Sequence, residues 1–110
     1  MPRQQMPMIQ GTVDLLILHA LRDGPTHGYA VTRWIRERTG GTLALEDAAL
    51  YQALHRLEAR GWIDAQWGAS ENNRRARFYS LTAAGRRQLK AEAETFRRYA
   101  NAVFKIIDPS

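Results

Sequence analysis

The chain contains no cysteine. Disulfide stapling and thiolate-bound metals are therefore excluded, and a reducing compartment is permitted without being required. Long hydrophobic runs are missing too. The longest, Leu15–Leu18, is far shorter than the ~20 residues that cross a bilayer. The opening MPRQQMPMIQ is interrupted by Pro2 and Pro7 and has no continuous apolar core, so a signal peptide is not expected. No glycine-rich phosphate loop is present, and Ser70 and Ser80 have no evident His–Asp partnership, so catalysis finds no foothold and no cofactor is expected. His19, His27 and His55 are never four residues apart, and without cysteines or paired carboxylates beside them no metal site is expected.

What is present is ordinary globular material with a basic bias. A length of 110 residues fits one domain, and 45% hydrophobic with 25% charged residues does not suggest disorder. Sixteen Lys and Arg against eleven Asp and Glu leave a formal charge of +5. That balance points to a polyanionic partner, and nucleic acid, an anionic membrane or an acidic protein would each satisfy it. The expectation is a soluble cytoplasmic protein.

Residues 1–10 read as a loosely ordered arm carrying one cation, Arg3. A first helix is expected from Gly11–Thr12 to Arg22, with Thr12 as its cap and Asp23-Gly24-Pro25 as its breaker. Its apolar face is Val13, Leu16, Ile17, Ala20 and Leu21. Leu15 and Leu18 lie off that face, and a helix apolar on two sides needs two surfaces to bury against. Thr26 is expected to cap a second helix, His27–Thr39, that turns Val31, Trp34 and Ile35 inward and Thr32, Arg33, Arg36 and Glu37 outward. Gly40-Gly41 ends it.

The centre of the chain is Glu46–Leu81. Leu50, Leu54 and Leu57 recur at helical spacing, leaving Ala49, Gln52, His55 and Arg56 on the other side. Gly61 stops this third helix. Two β-prone runs follow, Trp62–Trp67 and Arg77–Leu81, joined by a polar loop with Asn72, Asn73, Arg74 and Arg75. A helix running into an arginine-tipped hairpin is the sequence form of a winged helix-turn-helix. Thr82 then caps a final helix reaching Ile107, in which Leu89, Ala93, Phe96, Ala100, Val103 and Ile107 form a heptad seam. The seam is longer than so small a core can cover, which argues for pairing with a second chain. The expected fold is mainly α with a small β-hairpin: an arm (1–10), a winged helix-turn-helix (11–82), and a C-terminal dimerisation helix and tail (83–110).

QGTVDLLILHAL, GPTHGYAV, ALYQALHRLEARGWI and NNRRARFYSLTAAGRRQL together resemble the PadR family of bacterial transcriptional regulators over residues 9–90. The resemblance implies a homodimer that binds near-palindromic double-stranded operator DNA, usually as a repressor. The short tail is similar to the small subclass with one C-terminal dimerisation helix. Residues carried over by position are Ala49, Tyr51 and Gln52 near DNA, with Tyr51 matching a family tyrosine that reaches the phosphate backbone. The loop Asn72–Arg77 resembles the wing. Relatives commonly carry serine or threonine in place of Ala49 and proline in place of Gln52, so the operator sequence does not carry over.

The expected DNA-binding set is Ala49, Tyr51, Gln52, His55, Arg56, Asn73, Arg74, Arg75 and Arg77. The expected dimer interface is Leu15 and Leu18 with the six seam residues. Some relatives respond to small aromatic or cationic compounds, and Trp67 is the candidate wall of an effector pocket at the dimer interface. The competing readings use the same basic face on an acidic protein or on RNA.

Overall fold

The computed structural model describes residues 5–9 and 11–109. Arg3, the one cation of the expected arm, lies outside the described residues. Within the arm, Met6 is laid against the segment that leads to the third helix. Its N–H donates to the Thr42 carbonyl (2.9 Å), and it forms an isolated parallel bridge with Leu43.

The elements run α1 (Val13–Ala20), β1 (Thr26–His27), α2 (Gly28–Arg38), α3 (Asp47–Ala59), β2 (Ile63–Ala69), β3 (Arg75–Leu81) and α4 (Ala83–Ile107). Leu50, Ala53, Leu54 and Leu57 form the buried stripe of α3, and they meet Ile17, Leu18 and Leu21 from the α1 region, Val31 and Ile35 of α2, and Ile63 and Tyr79 of the sheet. Four helices around a small antiparallel sheet make a winged helix-turn-helix with a long C-terminal helix, as expected.

Both glycine stops are realised as Schellman turns. After α3, Gly61 has φ 78° and its N–H donates to Glu58, while Trp62 N–H reaches back to Leu57. After α2, Gly40 and Gly41 donate to Glu37 and Arg36 in the same pattern.

Two caps differ from expectation. Thr12 holds the N-cap position of α1, but its side chain makes no capping bond; the hydroxyl donates backwards to the Ile9 carbonyl (2.6 Å). Thr26 does not cap α2 either. Thr26 and His27 instead form a third strand, pairing antiparallel with Tyr79 and Phe78 to give the order β1-β3-β2. The cap is His27, whose Nδ1 accepts from Ala30 N–H at 3.2 Å. Thr32, expected outward, is buried and donates to the Tyr29 carbonyl.

The start of α4 is fixed to the end of α3. The Thr82 hydroxyl donates to the Gly61 carbonyl (2.7 Å) and accepts from Gly85 N–H (3.0 Å), while Thr82 N–H donates to Trp62 (3.0 Å). A methyl group on Gly85 would collide with the Trp62 carbonyl, so this approach requires glycine.

The expected interface residues divide into two groups. Leu18 is 0% exposed and belongs to the protomer's own core, because α1 is enclosed by α2, α3 and α4. Leu89 packs against that core and Ala93 is buried, so the first two seam positions are also used within the chain. Leu15 is half-buried. From Phe96 onward the seam is only partly covered by its own chain: Phe96 is 39% exposed, Ile107 is exposed, and Ala100 and Val103 are half-buried. At ~1.5 Å per residue α4 is ~37 Å long, and it projects; the radius of gyration is 15.3 Å, against about 13 Å for a compact domain of this size.

Candidate nucleic-acid interface

Each residue of a helix turns by about 100°, so α3 has three distinct flanks around its buried stripe. Ala48, Gln52 and His55 point directly away from the core and are exposed. Tyr51 lies on the flank facing the sheet. Arg56 lies on the flank facing α1. Ala49 is also on that side, about a quarter-turn from the stripe, where it is half-buried against the core. The outward alanine is therefore Ala48, and Ala49 is not on the outer face.

Tyr51 is exposed at the mouth of a cleft between α3, the start of α2 and the hairpin. His27, Gly28, Tyr29, Trp67, Arg75 and Arg77 share its walls. Gly28 permits the closure, because a methyl group there would sit 3.1 Å from Tyr51 Oη and 3.2 Å from Leu50 Cδ2.

The hairpin is longer than its β-prone runs, extending to Ala69 and back from Arg75. Ser70–Asn73 make the turn: Asn73 N–H donates to the Ser70 carbonyl and Ser70 N–H to the Arg74 carbonyl, both at 2.8 Å. Asn73 has φ 56°, a left-handed conformation that asparagine tolerates better than most side chains. Asn73 thus has a structural task whatever else it touches. Trp67, Arg75, Arg77 and Tyr79 stand on the sheet face toward α3, because strand side chains alternate. The Arg75 guanidinium lies 4.5 Å from the Trp67 ring centroid.

The cations divide into paired and unpaired groups. Arg56 is bonded to Asp14 of α1, whose other oxygen is 3.6 Å from Arg60. Arg77 is bonded to Glu58 at 2.9 Å. Arg74 and Arg75 make no ion pair among the described residues. Beneath them, burial pushes the Tyr79 phenol above its ordinary value, against the opposing pull of Arg77.

Trp67 is 60% exposed in the α3–hairpin cleft. It does not line the cavity of about 330 Å³ between α1, α2 and α4, where the aromatic walls are Trp34 and Phe96. The sequence reading placed Trp67 at the wall of an effector pocket by the dimer interface; the structure places it on β2, in the cleft with α3, and away from α4. Sequence reasoning also missed His27 and Tyr29 as cleft residues. Their position depends on β1 pairing with β3, and two residues carry no readable alternation. No group of three or more His, Cys, Asp or Glu suited to a metal occurs among the described residues. No described helix is long and apolar enough to cross a membrane.

Among solved structures, the chain is similar to a transcriptional regulator from Clostridium thermocellum, with 30% identity, a TM-score of 0.83, and coverage of 91% of this chain and 97% of that one. Its fold is also that of Bacillus subtilis PadR crystallised in complex with operator DNA, at 24% identity and a TM-score of 0.66, covering 74% of this chain and 47% of that one. An uncharacterized 37.1 kDa protein in a transposon of Streptomyces fradiae is 39% identical over 96 residues, and the chain spans only 26% of that relative's length. The model of the transcriptional regulator PadR-like family matches residues 17–91. That match takes in α2, α3 and the hairpin and ends inside α4, and by it the chain belongs to the PadR-like family of transcriptional regulators.

Proposed function

We propose that the chain acts in the cytoplasm as a homodimeric repressor that binds near-palindromic duplex operator DNA. The observation that carries this reading is the shared exposure of Gln52 and His55 on α3 and of the unpaired Arg74 and Arg75 on the wing beside it. In this reading α3 enters the major groove with Gln52 and His55 toward base edges, and Tyr51 and the wing arginines hold the flanking phosphates. Arg56 and Arg77 join them by exchanging their carboxylate partners for phosphate. Two copies joined through the exposed seam of α4 set two α3 helices about one helical turn (~34 Å) apart. The operator-bound relative of the same fold supports the DNA partner.

Release by a small-molecule effector fits the cavity between α1, α2 and α4, because an occupant there bears on the angle at which α4 leaves the core. The test of the whole reading is selection of bound sequences from a random duplex library at near-physiological salt. A near-palindromic motif is expected. Enrichment of nothing, with binding that vanishes as salt rises, would mean a general polyanion surface and would overturn sequence-specific regulation.

A further inference from the structure

Two of the cations assigned above already hold carboxylates, Arg56 of α3 with Asp14 and Arg77 of β3 with Glu58. An arginine of α2 does not. Arg33 makes no ion pair among the described residues. Its guanidinium lies 5.6 Å from the ring centroid of Tyr29, one turn earlier, which is 63% exposed. The Tyr29 ring in turn stacks beside His27 at 6.5 Å, and His27 meets Phe78 of β3 edge-on at 5.5 Å. This row of rings fixes the first turns of α2 against the sheet. Between it and the wing tip runs a second cleft, lined by His27, Tyr29 and Arg33 on one side and Arg74 and Arg75 on the other. Glu71 is the one carboxylate on its walls.

We infer that this cleft is a phosphodiester clamp: Arg33 and the Tyr29 hydroxyl from α2, and Arg74 from the wing, grip one strand of duplex DNA flanking the segment read by α3. The inference rests on the reading that the chain binds duplex DNA and adds a second anchoring element to it. An unpaired guanidinium is available to phosphate without first breaking a bond, whereas Arg56 and Arg77 must exchange partners. Stacking on Tyr29 restricts the side chain of Arg33 before DNA arrives, so less freedom is lost when it binds. Because the contacts are to the backbone, the clamp contributes affinity and orientation without sequence preference.

The experiment titrates the full chain into a fluorescent duplex of random sequence at several salt concentrations. Arg33→Ala is expected to lower the magnitude of the log–log salt slope by about 0.9 per bound protomer and to weaken binding roughly fivefold per protomer at 0.15 M salt. Arg33→Lys should recover most of the slope, since lysine keeps the charge. Arg36→Ala, on the same helix but outside the cleft, should change the slope by much less. If Arg33→Ala binds as the parent does, or if Arg36→Ala loses as much, the clamp is overturned while DNA binding stands. A parent chain with no salt-dependent binding to duplex would instead overturn the functional reading itself. Arg33→Gln, which keeps the stem of the side chain, replaces the alanine variant if circular dichroism shows that variant unfolded.

Discussion

Arg77 of β3 donates a 2.9 Å hydrogen bond to Glu58 of α3, so the wing and the third helix are tied by a charge that phosphate would also seek. Both side chains are partly exposed, 44% and 32%, so the pair contributes no more than about 1 kcal/mol to stability. Glu58→Gln should therefore leave the urea midpoint nearly unchanged. It should also tighten binding to any duplex and steepen the salt dependence by up to ~0.9 per bound protomer, because Arg77 is then free for a phosphate. An unaltered slope would show that Glu58 and DNA do not compete for Arg77.

Base reading and backbone holding separate by mutation. Gln52→Ala is expected to relax preference at one position of the operator, by ~1–3 kcal/mol if the amide makes a bidentate contact to a base. The double change Arg74→Ala with Arg75→Ala should weaken binding to all sequences and flatten its salt dependence. Library selection on each variant checks the pair; an altered motif from the wing variant would reverse the assignment.

The seam of α4 is divided at Phe96. Phe96→Asp places a charge on the partly covered half and should yield monomers in sedimentation, with a fold unchanged by circular dichroism. Leu18→Ala acts elsewhere. It empties part of the protomer core and should cost about 2–5 kcal/mol of unfolding free energy. A dimer that survives Phe96→Asp would assign the contact to another surface.

Close approach is severe at Gly85 and moderate at Gly28. Gly85→Ala drives a methyl into backbone, which cannot yield cheaply, and should cost at least the ~1–3 kcal/mol typical of overpacking. Gly28→Ala meets mainly the side chain of Tyr51, which can swing outward. Its expected signature is weakened DNA binding with a smaller loss of stability, read by urea denaturation beside a binding titration.

Alkaline pH should report on Tyr79. Its phenol is raised by burial above the ordinary 10.0, so the unfolded chain loses that proton first. The contribution is complete below pH 10 and declines as pH rises through the higher folded value. Stability should fall as pH rises past 10.0, and Tyr79→Phe should fall less over the same interval. Identical decline in both chains would mean that other groups carry the alkaline loss.

The sequence made the larger elements legible because each is written locally. Leu50, Leu54 and Leu57 mark the stripe of α3, Gly61 its end, and Thr82 the cap of α4. The failures lie where distant residues decide. His27 displaced Thr26 as a cap because β1 is held by a strand some fifty residues away. Leu18 is apolar beyond the first face of α1, and only the position of the other helices says that its own chain covers it. Ala48 and Ala49 differ by 100° of helical phase, and that phase is set by packing against α1 and α2.

The single hydroxyl of Thr82, shared between Gly61 and Gly85, makes α4 an angular amplifier. The base of the helix is tied to the end of α3 and packed against α1, while its far end is about 37 Å away. A tilt of about 5° at that base displaces Ile107 by about 3 Å. Conversely, a small shift imposed between two far ends returns to α3 as a rotation rather than being absorbed at a flexible joint. Loosening the joint by Thr82→Ala, which removes the hydroxyl's two bonds and keeps the N–H bond to Trp62, would thus weaken the coupling between the two ends without touching either surface.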